Sequence, residues 1–177
     1  VPIIISMLIQ ALYNVVDSIF VSRLSEDALT AVSLAFPAQN ILVNFAVGAG
    51  LGTNALLSRS LGEKNPEKAV KVTQNGIFIF IVLYIIFLLL GIFLVRPFFA
   101  LQTKNADIVE LGCDYLQICT ILSFGIFGEI LFERLLQATG KTIYTMFTQG
   151  IGAIVNIILD PILIFGLFGV PKMGIKG

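Results

Sequence analysis

The polar residues of this chain gather into short clusters, and long uncharged stretches run between them. Residues 77–95 are 19 uncharged positions rich in Ile, Phe and Leu. Residues 31–58 give 28 more, and residues 142–159 give 18, after which the apolar run resumes beyond Asp160 to Phe168. A helix that crosses a bilayer needs about 20 predominantly apolar residues, so each stretch predicts a membrane span. Residues 1–16 are also uncharged, and their apolar character continues past Asp17 to Val21. The weakest span is 115–128, with 14 uncharged residues between Asp114 and Glu129. Extended to Arg134, it becomes a full span with acids near both ends. The predicted helices are 1–21, 31–58, 68–96, 107–134 and 142–166.

The predicted links are short and polar. Residues 22–30 join the first two spans, and residues 60–71 carry the breakers Gly62, Asn65 and Pro66. Asn65-Pro66-Glu67 has the form of a helix start, with Asn65 as N-cap and Pro66 at the first helical position. Residues 102–105 precede the fourth span and Gly140 ends it. Five spans with short links predict an all-α, polytopic transmembrane bundle with neither a soluble domain nor a long linker. Alternate loops place six Lys and Arg (59, 64, 68, 71, 134, 141) on one side and five (23, 96, 104, 172, 176) on the other. The dense 59–71 loop is therefore expected on the cytoplasmic face of a multi-pass cell-membrane protein. The chain opens on Val1 within an apolar run and has no charged segment before it. It is expected to be a piece of a longer protein that begins inside a membrane helix, not at a signal peptide.

Composition supports the bilayer as solvent. The chain is 57% hydrophobic and 12% charged, against about 25% charged in soluble domains. A net charge of zero gives no electrostatic footprint for nucleic acid. Histidine is absent, which removes imidazole catalysis, imidazole metal sites and imidazole pH switching. Cys113 and Cys119 lie in an apolar stretch and fit small hydrophobes better than a disulfide or metal pair. Gly140-Lys141-Thr142 lacks the glycine of a phosphate loop, because position 135 is Leu135. Gly48, Gly50 and Gly52 follow no strand, so they are small residues for close helix approach and not a dinucleotide fingerprint. No enzyme chemistry is expected, and no cofactor beyond a coupling ion.

The polar residues kept inside the spans carry the functional signal. Gln10, Asn14 and Asp17 fall within about 60° of one another at 100° per residue, on one narrow helix face. Asn156 and Asp160 are one turn apart on one face. An ionised carboxylate at Asp160 is costly unless paired, hydrated, protonated or matched by a cation. Pro161 has no N–H to give the Ile157 carbonyl, so a carboxylate, an amide oxygen and a free carbonyl converge. These are hard oxygen ligands suited to Na⁺ or to a proton site; the alternative is a kink with Asp160 tied to a neighbouring helix. Asp17 lies near its helix end, where pairing with Arg23 competes with a functional role. Glu129 and Glu133 share a face and are expected to form an interfacial ion-pair group with Arg134 and Lys141. Asn40 and Asn44 are expected to hydrogen-bond between helices.

Tyr13-Asn14-Val15-Val16-Asp17 with Phe20-Val21-Ser22-Arg23-Leu24 resembles the first helix and loop of the multidrug and toxic compound extrusion (MATE) family. Val47-Gly48-Ala49-Gly50-Leu51-Gly52 with Arg59-Ser60-Leu61-Gly62 is similar to the family's next segment. The strongest match is Asn156-Ile157-Ile158-Leu159-Asp160-Pro161-Ile162-Leu163-Ile164-Phe165-Gly166. The resemblance implies a twelve-helix antiporter of two six-helix lobes, of which this chain supplies about five helices of the first. A sixth helix and the C-terminal lobe would complete it. It implies exchange of Na⁺ or H⁺ for cationic and amphipathic organic compounds. Asp17, Asn156 and Asp160 would form the cation site, which would hold Na⁺ in a sodium-coupled member. Gln10 and Tyr13 match positions that line the drug cavity in some members, and Asn14 joins them as a substrate-binding candidate. Pro2 matches a proline where the first helix bends, and Ser22 stands where many members have Gly. The alternative is a flippase for lipid-linked substrates of similar architecture. Such proteins tend to have a more cationic cavity than these spans can supply.

Overall fold

The computed structural model describes residues 25–166 and, before them, positions 4, 5, 8, 9, 11, 12, 15, 16 and 19, all nine of them helical. Five full helices follow: α1 (Glu26–Gly62), α2 (Pro66–Gln102), α3 (Ala106–Ile121), α4 (Ser123–Ala138) and α5 (Thr142–Phe165). There is no strand among the described residues. α1, α2 and α5 are each long and apolar enough to cross a membrane, and α3 with α4 passes the same test as one broken span. The described chain is an all-α transmembrane bundle.

α1 and α2 have 37 residues each, or about 55 Å at 1.5 Å per residue, well beyond the roughly 30 Å of hydrocarbon. Both overrun the expected bounds 31–58 and 68–96, because hydropathy marks only the part of a helix that lipid covers. The link expected at 22–30 is helical from Glu26. Ser25 Oγ accepts from the Ala28 amide at 3.0 Å, and Glu26 and Asp27 sit at the positive end of the helix dipole. The link expected at 60–71 narrows to Glu63, Lys64 and Asn65. Asn65 caps α2 as its sequence indicates, accepting from the Lys68 amide at 3.0 Å, with Pro66 first in the helix.

Glu63 closes this turn by accepting from Lys68 Nζ and Arg59 Nε, each at 2.8 Å. Lys68 and then Arg59 hold its carboxylate below the ordinary value. A carboxyl whose folded value is depressed stabilises the fold above its unfolded pKa and loses that contribution as pH falls through the folded value. Glu63→Gln is therefore expected to lose less thermal stability than wild type on acidification through the carboxylate range. Equal losses in the two proteins would remove Glu63 from the acid response.

The predicted single helix 107–134 is two helices. The chain breaks at Leu122 with a bend of 43° and then continues to Ala138. The cause is local: Ser123 Oγ donates to the Thr120 carbonyl at 2.7 Å, a side-chain bond that competes with the helical ladder. Tyr84 of α2 donates to the Ile121 carbonyl at 3.2 Å and so occupies a group that the break exposes. Gly140, at φ +77°, takes the left-handed conformation that ends α4.

α1 is the central element and packs on α2, α3 and α4, while α5 lies against α4. One core joins Leu42 and Ala46 of α1, Phe80 and Phe87 of α2, and Phe127 and Leu131 of α4. The Phe80 and Phe127 rings meet edge-on at 6.1 Å. A second core joins Ala35, Val95, Phe99 and Leu116. Outside these seams Phe78, Phe93 and Leu101 are exposed, as suits a surface covered by lipid. With lipid outside, packing and polar contacts hold the helices together. Gly50 supplies one close approach, where an added Cβ would lie 2.9 Å from Arg134 Cγ, while Gly48 and Gly52 face open space.

Candidate functional site

Among the described residues, the interhelical hydrogen bonds come from residues other than those expected. Asn40 and Asn44 lie exposed on α1. One position earlier, Gln39 points to α3 and its Nε2 donates to Tyr115 Oη at 3.0 Å and Cys119 Sγ at 3.4 Å. Asn54 Nδ2 donates to the Arg134 carbonyl at 2.9 Å. Helical phase decides this, since one residue turns a side chain by about 100°. Neither cysteine is in a disulfide among the described residues.

Asp160 is 7% exposed, so α5 turns it inward. Asn156, one turn earlier on α5, lines a cavity of about 320 Å³ with Gln149, Gly152 and Ala153 of the same helix. The facing walls are Ile126, Glu129, Ile130 and Glu133 of α4, Val43 of α1, and Ile9. The structure thus sets Asn156 into a shared polar space and buries Asp160 beside it. Asp17, Gln10, Tyr13 and Asn14, with Pro2 and Ser22, lie outside the described residues.

Glu129 and Glu133 do not form the expected ion-pair group. The ion pairs among the described residues are those of Glu63. Glu133 Oε1 accepts instead from Gln137 Nε2 and Gln149 Nε2, both at 3.0 Å. Arg134 turns away and donates to Gln137 Oε1 at 2.8 Å, while its stem packs near Gly50. Successive helix residues point about 100° apart, so neighbours in sequence are poor partners in space. The buried oxygens Gln149 Oε1 and Asn156 Oδ1 have no hydrogen-bond partner among the described residues. The chemical content of the cavity is two carboxylates, from Glu129 and Glu133, and two carboxamides, from Gln149 and Asn156, between aliphatic walls. Sequence reasoning missed Glu129, Glu133 and Gln149 as lining residues. Their signal was an acidic pair one turn apart in a helix with no other acid.

Comparison with known proteins agrees with this architecture. The family model described as MatE matches residues 2–162. A probable multidrug resistance protein, YoeA of Bacillus subtilis, is 28% identical over the whole chain, which covers 38% of that protein. An FAD transporter of Shewanella oneidensis is 29% identical over 93% of the chain and 36% of its own length. Among solved structures, a MOP superfamily transporter from Pyrococcus furiosus superposes with a TM-score of 0.91. It is 28% identical, and the match covers 99% of this chain and 38% of that one; reverse polarity of its binding pocket has been taken to suggest a different function. The chain spans well under half the length of these relatives. The motifs, the helical architecture and the match over residues 2–162 lead to one conclusion: the chain belongs to the MatE family.

Proposed function

We propose that the whole protein is a cation-coupled antiporter that exports amphipathic or cationic organic compounds across the cell membrane, and that this chain is part of its first lobe. The observation that carries the proposal is Asp160, an acid buried in a membrane helix one turn from Asn156, whose oxygen faces a polar cavity. A retained intramembrane carboxylate marks an ion or proton path. Pro161 frees the Ile157 carbonyl beside it, which adds a third hard oxygen. Na⁺ or H⁺ at Asp160 and Asn156, with Asp17 from the first helix, neutralises buried charge. That changes how the first helix packs on α5, the drug site in the same lobe closes, and drug leaves outward as the lobes rock. No covalent step is needed, so the protein acts as a transporter and not as an enzyme. A flippase for lipid-linked anions is the second reading, and the acidic lining of the cavity disfavours it.

The test is efflux by cells carrying the full-length protein. Drug extrusion is expected to depend on an imposed Na⁺ or H⁺ gradient and to stop when that gradient is collapsed. Extrusion that persists without either gradient would refute the coupling.

A further inference from the structure

α5 carries Asn156 and Asp160, and the rotation of that helix about its own axis decides where both of them point. Apolar packing fixes such a rotation poorly in lipid. The outer face of α5 exposes Ile143, Phe147, Ile151, Ile154 and Ile158, and hydrocarbon gives no reason to turn one apolar face inward over another. The inner face between Gln149 and Asn156 is Gly152 and Ala153, set against the cavity of about 320 Å³. Gly152 has open space where a side chain would start, so no interlocking of side chains keys the helix there. A polar contact can key it. We propose that Glu133 and Gln149 are positioning residues: their hydrogen bond sets the rotation of α5 and so aims Asn156 and Asp160 at the coupling ion. The inference rests on the cation-coupled reading above and names what orients its site.

The bond ends on a post that is itself held. Gln149 Nε2 donates to Glu133 Oε1 of α4 at 3.0 Å, and Gln137 Nε2 donates to the same oxygen at 3.0 Å. Gln137 is fixed in turn, because its Oε1 accepts from Arg134 Nη1 at 2.8 Å. At this level α4 is tied to the central helix α1, where Asn54 Nδ2 donates to the Arg134 carbonyl at 2.9 Å. A continuous polar chain thus runs from α1 through α4 to α5. Both glutamines turn their NH₂ groups to the acid, and Gln137 turns its oxygen to the base. The guanidinium end is charge-assisted, and in low dielectric the members of such a chain strengthen one another.

Helix geometry carries the effect to the site. At about 100° per residue Asn156 lies about 20° to one side of Gln149 and Asp160 about 20° to the other, so the three share one face of α5. Along the axis Asp160 stands about 16 Å from Gln149 at 1.5 Å per residue, too far for direct contact. Any influence of Gln149 on Asp160 therefore passes through the rigid helix. Glu133 and Gln149 are 16 residues apart across the turn at Gly140, so their bond closes the α4–α5 hairpin just before the cavity separates the two helices. A rotation of α5 that breaks this bond swings Asn156 and Asp160 by the same angle, and an intact bond holds both in phase.

The experiment measures ion binding to purified full-length protein in lipid nanodiscs, with no organic compound present. The probes are radiolabelled Na⁺ and proton uptake read by a pH indicator, and the signal of the site is the part that Asp160→Asn removes. Gln149→Leu keeps the bulk of the side chain and breaks the bond. The double swap of Glu133→Gln with Gln149→Glu restores a bond of reversed polarity, with the amide on α4 and the carboxylate on α5. Thr148→Val is the control, since that hydroxyl bonds within α5 to the Tyr144 and Thr145 carbonyls. Partners that orient an ion-ligating side chain are worth about 10–100-fold in affinity, so Gln149→Leu is expected to weaken the site by about tenfold or more at a melting temperature close to wild type. The swap is expected to return affinity to within about threefold of wild type, because the two residues act as one pair, and Thr148→Val to leave it unchanged. A contact that only held the fold together would lower the melting temperature and spare the affinity of the folded protein. Wild-type affinity in Gln149→Leu would overturn the proposal, as would a folded swap variant as weak as Gln149→Leu; if the swap does not fold, Gln149→Leu decides alone. If Asp160→Asn removes no ion binding, the coupling reading itself fails. If it does and Gln149→Leu binds like wild type, only the present proposal fails.

Discussion

Asp160→Asn in the full-length protein should bring drug resistance down to that of cells without the transporter, at normal expression. The substitution keeps the size and shape, turns one acceptor oxygen into an NH₂ donor and removes the charge. Coupling free energies between ligands are typically about 1–3 kcal/mol, or about 5–150-fold in affinity, and the whole of that advantage is expected to vanish. Stability should move the other way. Asp160 is 7% exposed, and a buried carboxylate costs more to desolvate than an amide, so the melting temperature should hold or rise. A variant that is as stable as wild type and inactive places Asp160 in transport. A variant that transports at the wild-type rate removes it from the coupling role.

A second large effect is expected at the helix seams. Gly112 of α3 lies against the ring of Phe99 in α2, so closely that an added Cβ would overlap the ring. Phe99 is fully buried and cannot turn aside. At Gly91 of α2 an added Cβ would overlap the Thr120 side chain, whose hydroxyl is tied to the Leu116 and Gln117 carbonyls at 2.9 and 3.0 Å. Overpacking a filled seam costs about 1–3 kcal/mol, sometimes more, and membrane helices depend on such close approaches. Gly112→Leu is expected to lower the melting temperature in detergent by roughly 2–4 °C per kcal/mol. Phe99→Ala in the same background should recover part of the loss, because the two residues share one space. Equal stability of Gly112→Leu and wild type would show that the α2–α3 seam is not the close approach described.

Much of the fold is visible in the pattern of uncharged runs. Hydropathy located α1, α2 and α5 because lipid imposes one strong demand on composition. It could not place their ends, since Ser25 and Asn65 set those by capping in water. It also missed the break at Leu122, because a serine bonding to the Thr120 carbonyl leaves no mark on hydropathy. Within the candidate site, Asn156 and Asp160 stand out as polar residues one turn apart in an apolar helix. Glu129 and Glu133 were visible as a pair but paired in expectation with Arg134, which sits beside Glu133 in sequence. The structure turns Arg134 toward Gln137 and brings Gln149 to Glu133 from another helix. That partner is 16 residues away along the chain, and no local pattern announces it.

The central claim is that cation and drug exclude one another through this lobe. The direct test is the affinity of purified full-length protein for its coupling ion, Na⁺ or H⁺, measured with no drug and with saturating tetraphenylphosphonium. Linkage requires the drug to weaken ion binding by the same factor by which the ion weakens drug binding. The account predicts matched factors in wild type and none in Asp160→Asn. Ion affinity that is the same with and without drug in wild type would contradict it.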